Sequence, residues 1–486
     1  SNQFGLYFVR LPLKKAAKIV HGNSLRIDWE SVVTKEKLNF ILGNPPFVGK
    51  HLQNTAQKAD MELVFDYLKG LSDLDYVTAW FYKAALFIQN TVIEVGFVAT
   101  SSITQGEQVY LLWNPLINNF RIKINFAHRT FKWTNEAKGN AVVHCVIIGF
   151  SLFDRTEKAI FDYENINSDP QKLIIDKINP YLSSGSLILI SKRSKPLSDV
   201  SPITCGNKPS DDGNFIFTDT EKNEFIKKEP LAQSLFRKYI GSTELINNTF
   251  RWCLWLKDIP PVELKKLPLV LERIDKVKKF RENSTAAPTR KTALTPSLFF
   301  YISHPDTNYL AIPEVSSERR KYIPIGFLDK SIIPSNKLQI IPHATLYLFG
   351  ILTSEMHMTW VRYVCGRLKS DFDYSNTIVY NNYPFPENIS EKQKKKVETA
   401  AQAVLDTRAK YPDSSLADLY DPLTMPPDLV KAHQALDKAV DLCYRPQPFV
   451  SELNRIEYLF SLYEALTVPL LKVEKKKRAN KKDIVV

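Results

Sequence analysis

Apolar positions in the first third of the chain follow two different spacings. Between Asp73 and Gln89 they recur every three or four residues, which is the pattern of a helix with one buried face. Elsewhere they form short continuous runs, which are typical of buried strands. The four runs are Phe40–Leu42, Val95–Thr100, Ile122–Phe126 and Val142–Phe150. Strand, helix, strand and a closing apolar hairpin predict part of a Rossmann-like α/β sheet, with His128–Trp133 as a loop before its last strand.

The pattern changes near residue 180, where prolines become frequent and aromatic residues are scattered between short strands. Two helices are predicted in this region, and three more beyond Pro386. These helices are Leu267–Arg281, Tyr347–Cys365, Glu391–Lys410, Pro427–Leu442 and Glu452–Leu471. The fold class is therefore α/β: a partial Rossmann-like sheet, then a mixed α/β domain and a C-terminal helical region. We place the domains at residues 1–178, 179–386 and 387–486, and we expect the basic run Lys475–Lys482 to be a disordered tail.

Composition narrows the class of protein. The chain has 486 residues, of which 44% are hydrophobic and 24% charged, as in an ordinary globular protein. No apolar run approaches the ~20 residues that span a bilayer, so we expect no membrane association. The five cysteines form no CxxC pair, which argues against a zinc ribbon or a disulfide framework and fits a bacterial cytoplasm. A net charge of +13 indicates a polyanionic partner.

The candidate catalytic stretch is Asn44-Pro45-Pro46-Phe47, directly after the first apolar run. Two prolines fix φ near −65° and lack N–H donors, so this loop is stiff and rich in acceptors. The Asn44 side-chain oxygen and the Pro45 carbonyl can accept two hydrogens from one planar amine, while Phe47 stacks on the attached ring. The alternative is a proline-rich turn that simply follows a strand.

A second candidate stretch precedes the first. Ile19-Val20 predicts a short strand, and Gly22-Asn23-Ser24 a polar turn at its end. Ligands of doubly wound sheets bind at such carboxyl ends, so Asn23 or Ser24 is a candidate contact for the adenine of a cofactor. A turn that only closes the strand is the alternative.

Together these stretches resemble the adenine-N6 DNA methyltransferases of the single-chain type IIL restriction–modification family. Asn44–Phe47 matches the catalytic motif of that family. The other stretches that carry the resemblance are His21–Trp29, Phe97–Val109, Phe126–Phe150, Tyr374-Ser375 with Val379–Asn382, and Asp418–Asp421. The family fuses a nuclease, a class I methyltransferase and a target-recognition domain.

The resemblance also implies which parts the chain lacks. The residues ahead of His21 contain a single glycine, Gly5, so the Gly-rich cofactor motif of a Rossmann-type methyltransferase is missing. The nuclease portion of the family is missing as well. We therefore expect a C-terminal fragment of a longer protein, inactive alone, whose partners are the missing nuclease and cofactor-binding portions.

The implied reaction moves a methyl group from S-adenosylmethionine to the exocyclic amine of an adenine flipped out of duplex DNA. S-adenosylmethionine is expected in the full-length protein, and no metal is expected in this fragment. Asn44 and Pro45 would hold the amine, Pro46 would stiffen the loop, and Phe47 would stack on the base. Phe131 or Trp133 would pack the other face of the base or its sugar. A plain hydrophobic cap on the hairpin is the alternative for these two aromatic residues.

DNA recognition calls for two further sets of residues. The densest basic candidates for phosphate contacts are Arg273, Lys276, Lys278, Lys279, Arg281, Arg290 and Lys291, the last two in a polar loop; a solvated helix face is the alternative. Lys369 and Asp371, flanked by Arg367 and Asp373, would read a G·C pair, because lysine donates to guanine and aspartate accepts from cytosine N4. Ion pairing within the segment is the alternative there.

Two other functions remain open from the residues. Asn-Pro-Pro with an aromatic residue also suits methylation of a glutamine amide in a protein, although that chemistry needs no long basic region. The chain could instead be a non-catalytic, sequence-specific DNA-binding module.

Overall fold

The computed structural model describes residues 17–66, 70–133, 143–163 and 168–482, with the main chain alone at residues 132, 133, 143 and 469–482. The chain folds into two compact units, residues 1–103 with 111–175 and residues 104–110 with 176–486. In the described parts, no helix is long and apolar enough to cross a membrane. No group of three or more His, Cys, Asp or Glu side chains there could hold a metal ion.

The first unit is built around a six-stranded mixed sheet of order β1-β2-β4-β3-β5-β6. Its strands are β1 (Phe40–Gly43), β2 (Glu94–Thr100), β3 (Lys123–Trp133), β4 (Val143–Ser151), β5 (Lys158–Asp162) and β6 (Gln171–Ile175). The α-helices along this part of the chain are α1 (Trp29–Val32), α2 (Thr55–Phe65), α3 (Thr78–Phe87) and α4 (Gly106–Asn118), of which α4 belongs to this unit from Leu111 onward. 3₁₀ turns lie at Lys35–Lys37, Leu71–Asp73 and Ser101–Thr104. β1 and β2 are parallel, whereas β3 and β4 form the predicted apolar hairpin.

Three local expectations for this unit are wrong. Residues 17–20 form no strand, so Ile19-Val20 only leads into the turn at Asn23. His128–Trp133 belongs to β3 rather than to a loop, because it pairs with β4. The helix predicted from Asp73 begins at Thr78, because a 3₁₀ turn and an extended residue, Leu74, come first.

β1 was expected to be a buried strand, and this is also wrong. Among the described strands it pairs with β2 alone, and Phe40 and Leu42 are 60% and 79% exposed. At Gly96 and Gly149, the Leu42 side chain and the Phe126 ring occupy the space that a Cβ atom would need. Among the described strands β1 is thus an edge strand with two exposed apolar side chains.

The second unit contains three small sheets and the C-terminal helices. The sheet orders are β14-β9-β10-β8, β13-β11-β15-β7 and β12-β17-β16. The strands are β7 (Thr204–Cys205), β8 (Ile216–Phe217), β9 (Phe236–Ile240), β10 (Arg251–Leu254), β11 (Tyr309–Pro313), β12 (Val315–Ser316), β13 (Gly326–Leu328), β14 (Ile333–Pro334), β15 (Leu338–Pro342), β16 (Gly366–Leu368) and β17 (Asp371–Asp373).

Helices surround these sheets and form the end of the chain. The α-helices are α5 (Asp219–Lys228), α6 (Ser242–Ile246), α7 (Pro261–Leu264), α8 (Pro268–Glu282), α9 (Ala287–Lys291), α10 (Leu346–Leu352), α11 (Glu355–Val364), α12 (Glu391–Ala409), α13 (Leu416–Leu419), α14 (Pro427–Tyr444) and α15 (Glu452–Lys482). A π-helical turn spans Asn376–Tyr380, and 3₁₀ turns span Pro230–Leu235 and Thr292–Leu294. The predicted class, mixed α/β with a helical C-terminal region, is confirmed.

Several predicted bounds in this unit need correction. The segment Tyr347–Cys365 is two helices, because the Ser354 side chain accepts a hydrogen bond from His357 N and caps a new helix there. The polar loop around Arg290 and Lys291 is the short helix α9. The basic run at 475–482 continues α15 instead of forming a disordered tail.

A buried polar cluster connects the predicted recognition domain to the C-terminal helices within this unit. The Tyr322 hydroxyl donates to Asp437 Oδ2 at 2.7 Å, and its ring stacks on His433 at 4.0 Å. His433 Nε2 in turn lies 2.8 Å from the Tyr420 hydroxyl. Burial raises the pKa of Asp437 to about 6. These buried hydrogen bonds hold Tyr322 of the predicted recognition domain against the C-terminal helices.

Candidate active site and nucleic-acid interface

The Asn44–Phe47 loop leaves the sheet at the C-terminal end of β1. Pro45 is buried, Phe47 is half-buried, and Asn44 and Pro46 are exposed. Gly43 ends the strand against Phe97, where an added Cβ atom would lie 3.1 Å from the ring. The strand therefore approaches β2 closely, and the exposed Asn44 follows at the edge where a ligand of a parallel strand pair would bind.

Asn23 and Ser24 lie in a turn that is held by hydrogen bonds. The Asn23 amide donates to Asp60 Oδ2 at 2.9 Å, and its side-chain oxygen accepts from Leu25 N at 3.0 Å. Ser24 Oγ accepts from Trp80 Nε1 at 3.0 Å. The two residues are thus tied to α2 and α3, which positions the turn in the first unit.

Asp60 is the centre of this network, and the sequence reading missed it. Its carboxylate also accepts from Tyr76 Oη and Arg26 Nε, both at 2.6 Å. Burial raises the pKa of Asp60, but the hydrogen bonds from Tyr76, Asn23 and Arg26 outweigh that effect and lower it. Burial and the neighbouring Asp60 carboxylate raise the pKa of Tyr76. No element was predicted over Thr55–Phe65, the helix that carries Asp60, and its partners Asn23, Arg26 and Tyr76 are distant in sequence, so no local signal identified it.

Phe131 belongs to an aromatic cluster on β3 and β5. Between the pairs His128–Ile147 and Phe131–Cys145, β3 has one residue more than β4, which is a β-bulge. The bulge turns Phe131 onto the face of His128, where it stacks on Tyr163 at 5.6 Å. His128 Nδ1 lies 2.8 Å from the Tyr163 hydroxyl. The side chain of Trp133, the other predicted aromatic contact, lies outside the described residues.

The basic residues of α8 divide into an exposed group and a buried one. Lys276, Lys278 and Lys279 are more than half exposed and pair with acids one turn away. Such surface pairs are weak, so they leave these lysines available to a phosphate. Arg273 lies over the Phe217 ring at 5.0 Å. On the next helix, Arg290 donates to the Ser284 and Thr285 carbonyls, and Lys291 is exposed.

Arg281 is the buried member, and its placement contradicts a phosphate contact. The side chain is 0% exposed. Its guanidinium donates to five main-chain carbonyls, those of Pro209, Ser210, Thr292, Thr295 and Leu298, at 2.8–3.3 Å. Arg281 therefore holds the loop before β8 and the turn after α9 onto α8.

The predicted base-reading residues lie on the β16–β17 hairpin. Lys369 is exposed at φ +59° in its two-residue turn. Asp371 and Asp373 alternate with Phe372 and so share one face of the hairpin. Arg367 pairs with Phe372 on the opposite face, where its guanidinium lies 3.8 Å from the Phe372 ring and donates to the Arg362 carbonyl. The structure thus brings Asp371 and Asp373 together, next to a turn that carries Lys369, and separates Arg367 from them.

Three family models match consecutive parts of this chain. They are described as the MmeI DNA-methyltransferase domain over residues 1–162, the MmeI target recognition domain over 184–387 and the MmeI C-terminal domain over 389–471. A solved structure of the type IIL restriction-modification enzyme MmeI in complex with DNA is 54% identical, with a TM-score of 0.86 over 96% of this chain and 62% of that one. The chain belongs to the MmeI family.

A curated relative agrees with this assignment. DNA methyltransferase A of Bacillus subtilis strain 168 is 43% identical over 461 residues, which cover 94% of this chain. The chain spans about half the length of that relative, 51%. Membership of the MmeI family therefore establishes which domains the chain contains, and the expected resemblance to type IIL proteins is confirmed.

Proposed function

We propose that this chain, within a longer protein, methylates the N6 amine of adenine at a specific sequence in duplex DNA. The observation that carries the proposal is the Asn44–Phe47 loop, exposed at the end of a strand whose neighbour is parallel. The matches to a DNA-methyltransferase model and to a DNA methyltransferase support a nucleic-acid amine as acceptor. The recognition-domain match supports DNA over a glutamine amide. We keep the domain division 1–178, 179–386 and 387–486 as part of this proposal.

The proposed role of the loop is to hold the amine in a single orientation. Asn44 Oδ1 and the Pro45 carbonyl accept the two amine hydrogens, which keeps the lone pair on nitrogen. Pro45 and Pro46 add no N–H donor and hold φ fixed, so both acceptors stay in place. Phe47 stacks on one face of the flipped base, and Phe131, itself held by Tyr163, packs the other face or the sugar.

S-adenosylmethionine is the cofactor that this chemistry implies, and the residues present fit part of its site. When bound, it supplies a methyl group to the amine. Ser24 and the main chain of the Asn23 turn would line its adenine side, since the Asn23 amide is already bonded to Asp60. A Gly-rich turn does not occur ahead of His21 in the sequence, so the rest of the pocket would come from another portion of the protein.

Sequence recognition is assigned to the second unit. We propose that Lys369 donates to a guanine and that Asp371 accepts from the paired cytosine, with Asp373 on the same face of the hairpin. Glu318 N, 3.3 Å from Asp371 Oδ1, helps to orient that carboxylate. The exposed lysines of α8 with Arg273, Arg290 and Lys291 would contact phosphates, and Arg281 is left out of this set because it is buried.

The test is Asn44→Ala in the complete protein. Methylation of adenine, followed with labelled cofactor, should fall at least about 100-fold, because an acceptor that holds the amine in the transition state is lost. Duplex affinity should change less than about twofold, since Asn44 makes no phosphate contact in this proposal. Asn39→Ala, the same change at the other end of β1, is the matched control and should retain both activities. Equal loss of methylation and DNA binding in Asn44→Ala would refute the proposed role.

For the chain alone, one observation favours the second candidate, a non-catalytic DNA-binding module. Among the described strands β1 is an edge strand, and its Phe40 and Leu42 side chains are exposed, which supports a sheet that is completed by other residues of the protein. We expect calorimetry to detect duplex DNA binding to the isolated chain but no binding of S-adenosylmethionine. Tight cofactor binding by the isolated chain would contradict this expectation.

A further inference from the structure

The segment that follows the Asn44–Phe47 loop is held by hydrogen bonds to residues 74–76, which lie about 25 residues further along the chain. Tyr76 N donates to the Val48 carbonyl at 2.9 Å. Two residues on, Lys50 N donates to Asp75 Oδ1 at 2.9 Å. Gln53 Nε2 closes the same contact by donating to the Leu74 carbonyl at 2.9 Å. Residues 48–53 are therefore fixed along the extended segment that precedes α3.

Asp75 also reaches a third element. Its other carboxylate oxygen, Oδ2, accepts from Ser102 Oγ at 2.5 Å, and Ser102 Oγ lies 2.8 Å from Thr100 Oγ1. Ser102 sits in the 3₁₀ turn directly after β2, the strand that pairs with β1. One carboxylate thus connects the segment that follows the Asn44–Phe47 loop to the turn after β2, the parallel neighbour of β1.

Asp75 is not the N-cap residue of the helix that follows it. Residue Val77 is the N-cap of α3, and that cap makes no side-chain hydrogen bond. The Asp75 carbonyl accepts from Thr78 Oγ1 at 2.6 Å, at the first residue of the helix. Asp75 is only 8% exposed. A buried carboxylate is costly unless its oxygens are hydrogen-bonded, and the bonds shown here go to the loop and to the turn after β2.

We propose that Asp75 is a positioning residue for the Asn44–Phe47 loop. By holding Lys50 N and Ser102 together it fixes the C-terminal end of the loop, whose N-terminal end is fixed by the pairing of Gly43 with Phe97. The Asn44 and Pro45 oxygens are then kept at the spacing of one amine. This inference rests on the proposed function, because the amine is the group that the loop is positioned to hold.

The experiment compares Asp75→Asn and Ser102→Ala in the complete protein with Asp66→Asn, a neutralised exposed aspartate of the same unit. Single-turnover methylation should fall about 10- to 100-fold in Asp75→Asn, since displacements near 1 Å at a reacting group cost that much. Ser102→Ala removes one of the two bonds and should fall less. The dissociation constants for duplex DNA and for S-adenosylmethionine should stay within about twofold, and Asp66→Asn should match the wild type.

Each outcome has a distinct meaning. An unchanged single-turnover rate in Asp75→Asn overturns the inference. If Asp75→Asn and Ser102→Ala both lose rate, DNA affinity, cofactor affinity and thermal stability in parallel, the contact is merely structural and the inference is overturned as well. A double variant with the same rate as Asp75→Asn alone supports the inference, because both changes then break one connection. Failure of the wild-type complete protein to methylate adenine would instead refute the proposed function.

Discussion

Arg281→Lys removes the planar guanidinium from the buried end of α8 while keeping its positive charge. In the wild type the five bonds to main-chain carbonyls join residues 209–210 and 292–298 to the helix. Lysine has three donors on one flexible atom, so at least two of the carbonyls lose their partner. At ~1–3 kcal/mol for each buried unsatisfied group, the free energy of unfolding of this region should fall by about 2–6 kcal/mol.

Hydrogen exchange followed by mass spectrometry measures this loss locally. Peptides that cover α8 and residues 292–298 should exchange faster in Arg281→Lys, and the urea midpoint from tryptophan fluorescence should fall, since Trp255 packs against the same core. Arg290→Lys is the matched control: this arginine is exposed, and its change should stay within roughly 0.5 kcal/mol.

If Arg281→Lys is as stable as Arg290→Lys, the five hydrogen bonds of Arg281 do not hold this region together. A phosphate contact would give the opposite pattern, because lysine retains the charge and would preserve much of the DNA affinity without any loss of stability.

Two further predictions concern the second unit. Exchanging the charges of the hairpin, Lys369→Asp with Asp371→Lys in the complete protein, should change one base pair of the methylated sequence, and sequencing of methylated sites would show an unchanged motif if the hairpin does not read bases. Burial lowers the pKa of His357 to about 3, so this group stabilises the fold fully above its unfolded pKa of about 6.5 and loses that contribution as the pH falls toward 3. The loss is on the order of 5 kcal/mol at the acid end of this pH range. Urea unfolding measures the free energy of unfolding of the wild type and of His357→Gln, and the difference between the two should fall as the pH decreases from 6.5 toward 3. A difference that does not change with pH would contradict this prediction. Asp437, whose pKa is raised to about 6, acts in the opposite direction and cancels in this difference.

Much of the local structure follows from the spacing of residues along the chain. Helix α8 was predicted at Leu267–Arg281 and observed at Pro268–Glu282, and β4 was predicted within one residue at each end. These elements are long or strongly apolar, so short-range periodicity is sufficient to locate them. The burial of Arg281 was also within reach, since Val270, Val277 and Arg281 are spaced seven and four residues apart on one helix face.

Other features depend on contacts between distant residues. The exposure of β1 was not predictable, because the hydrophobic pattern of an apolar strand is the same whether the strand has one neighbour or two. The orientation of Phe131 is set by a bulge, which one extra residue against β4 creates.

Asp75 shows most clearly the difference between what local sequence determines and what depends on contacts between distant residues. The sequence by itself determined the proposed catalytic loop, because its amide, prolines and aromatic ring are consecutive in the chain. Only the tertiary structure decided what holds the loop, because Lys50 and Ser102 lie 25 and 27 residues from Asp75, and no local pattern records that three chain segments meet at one carboxylate.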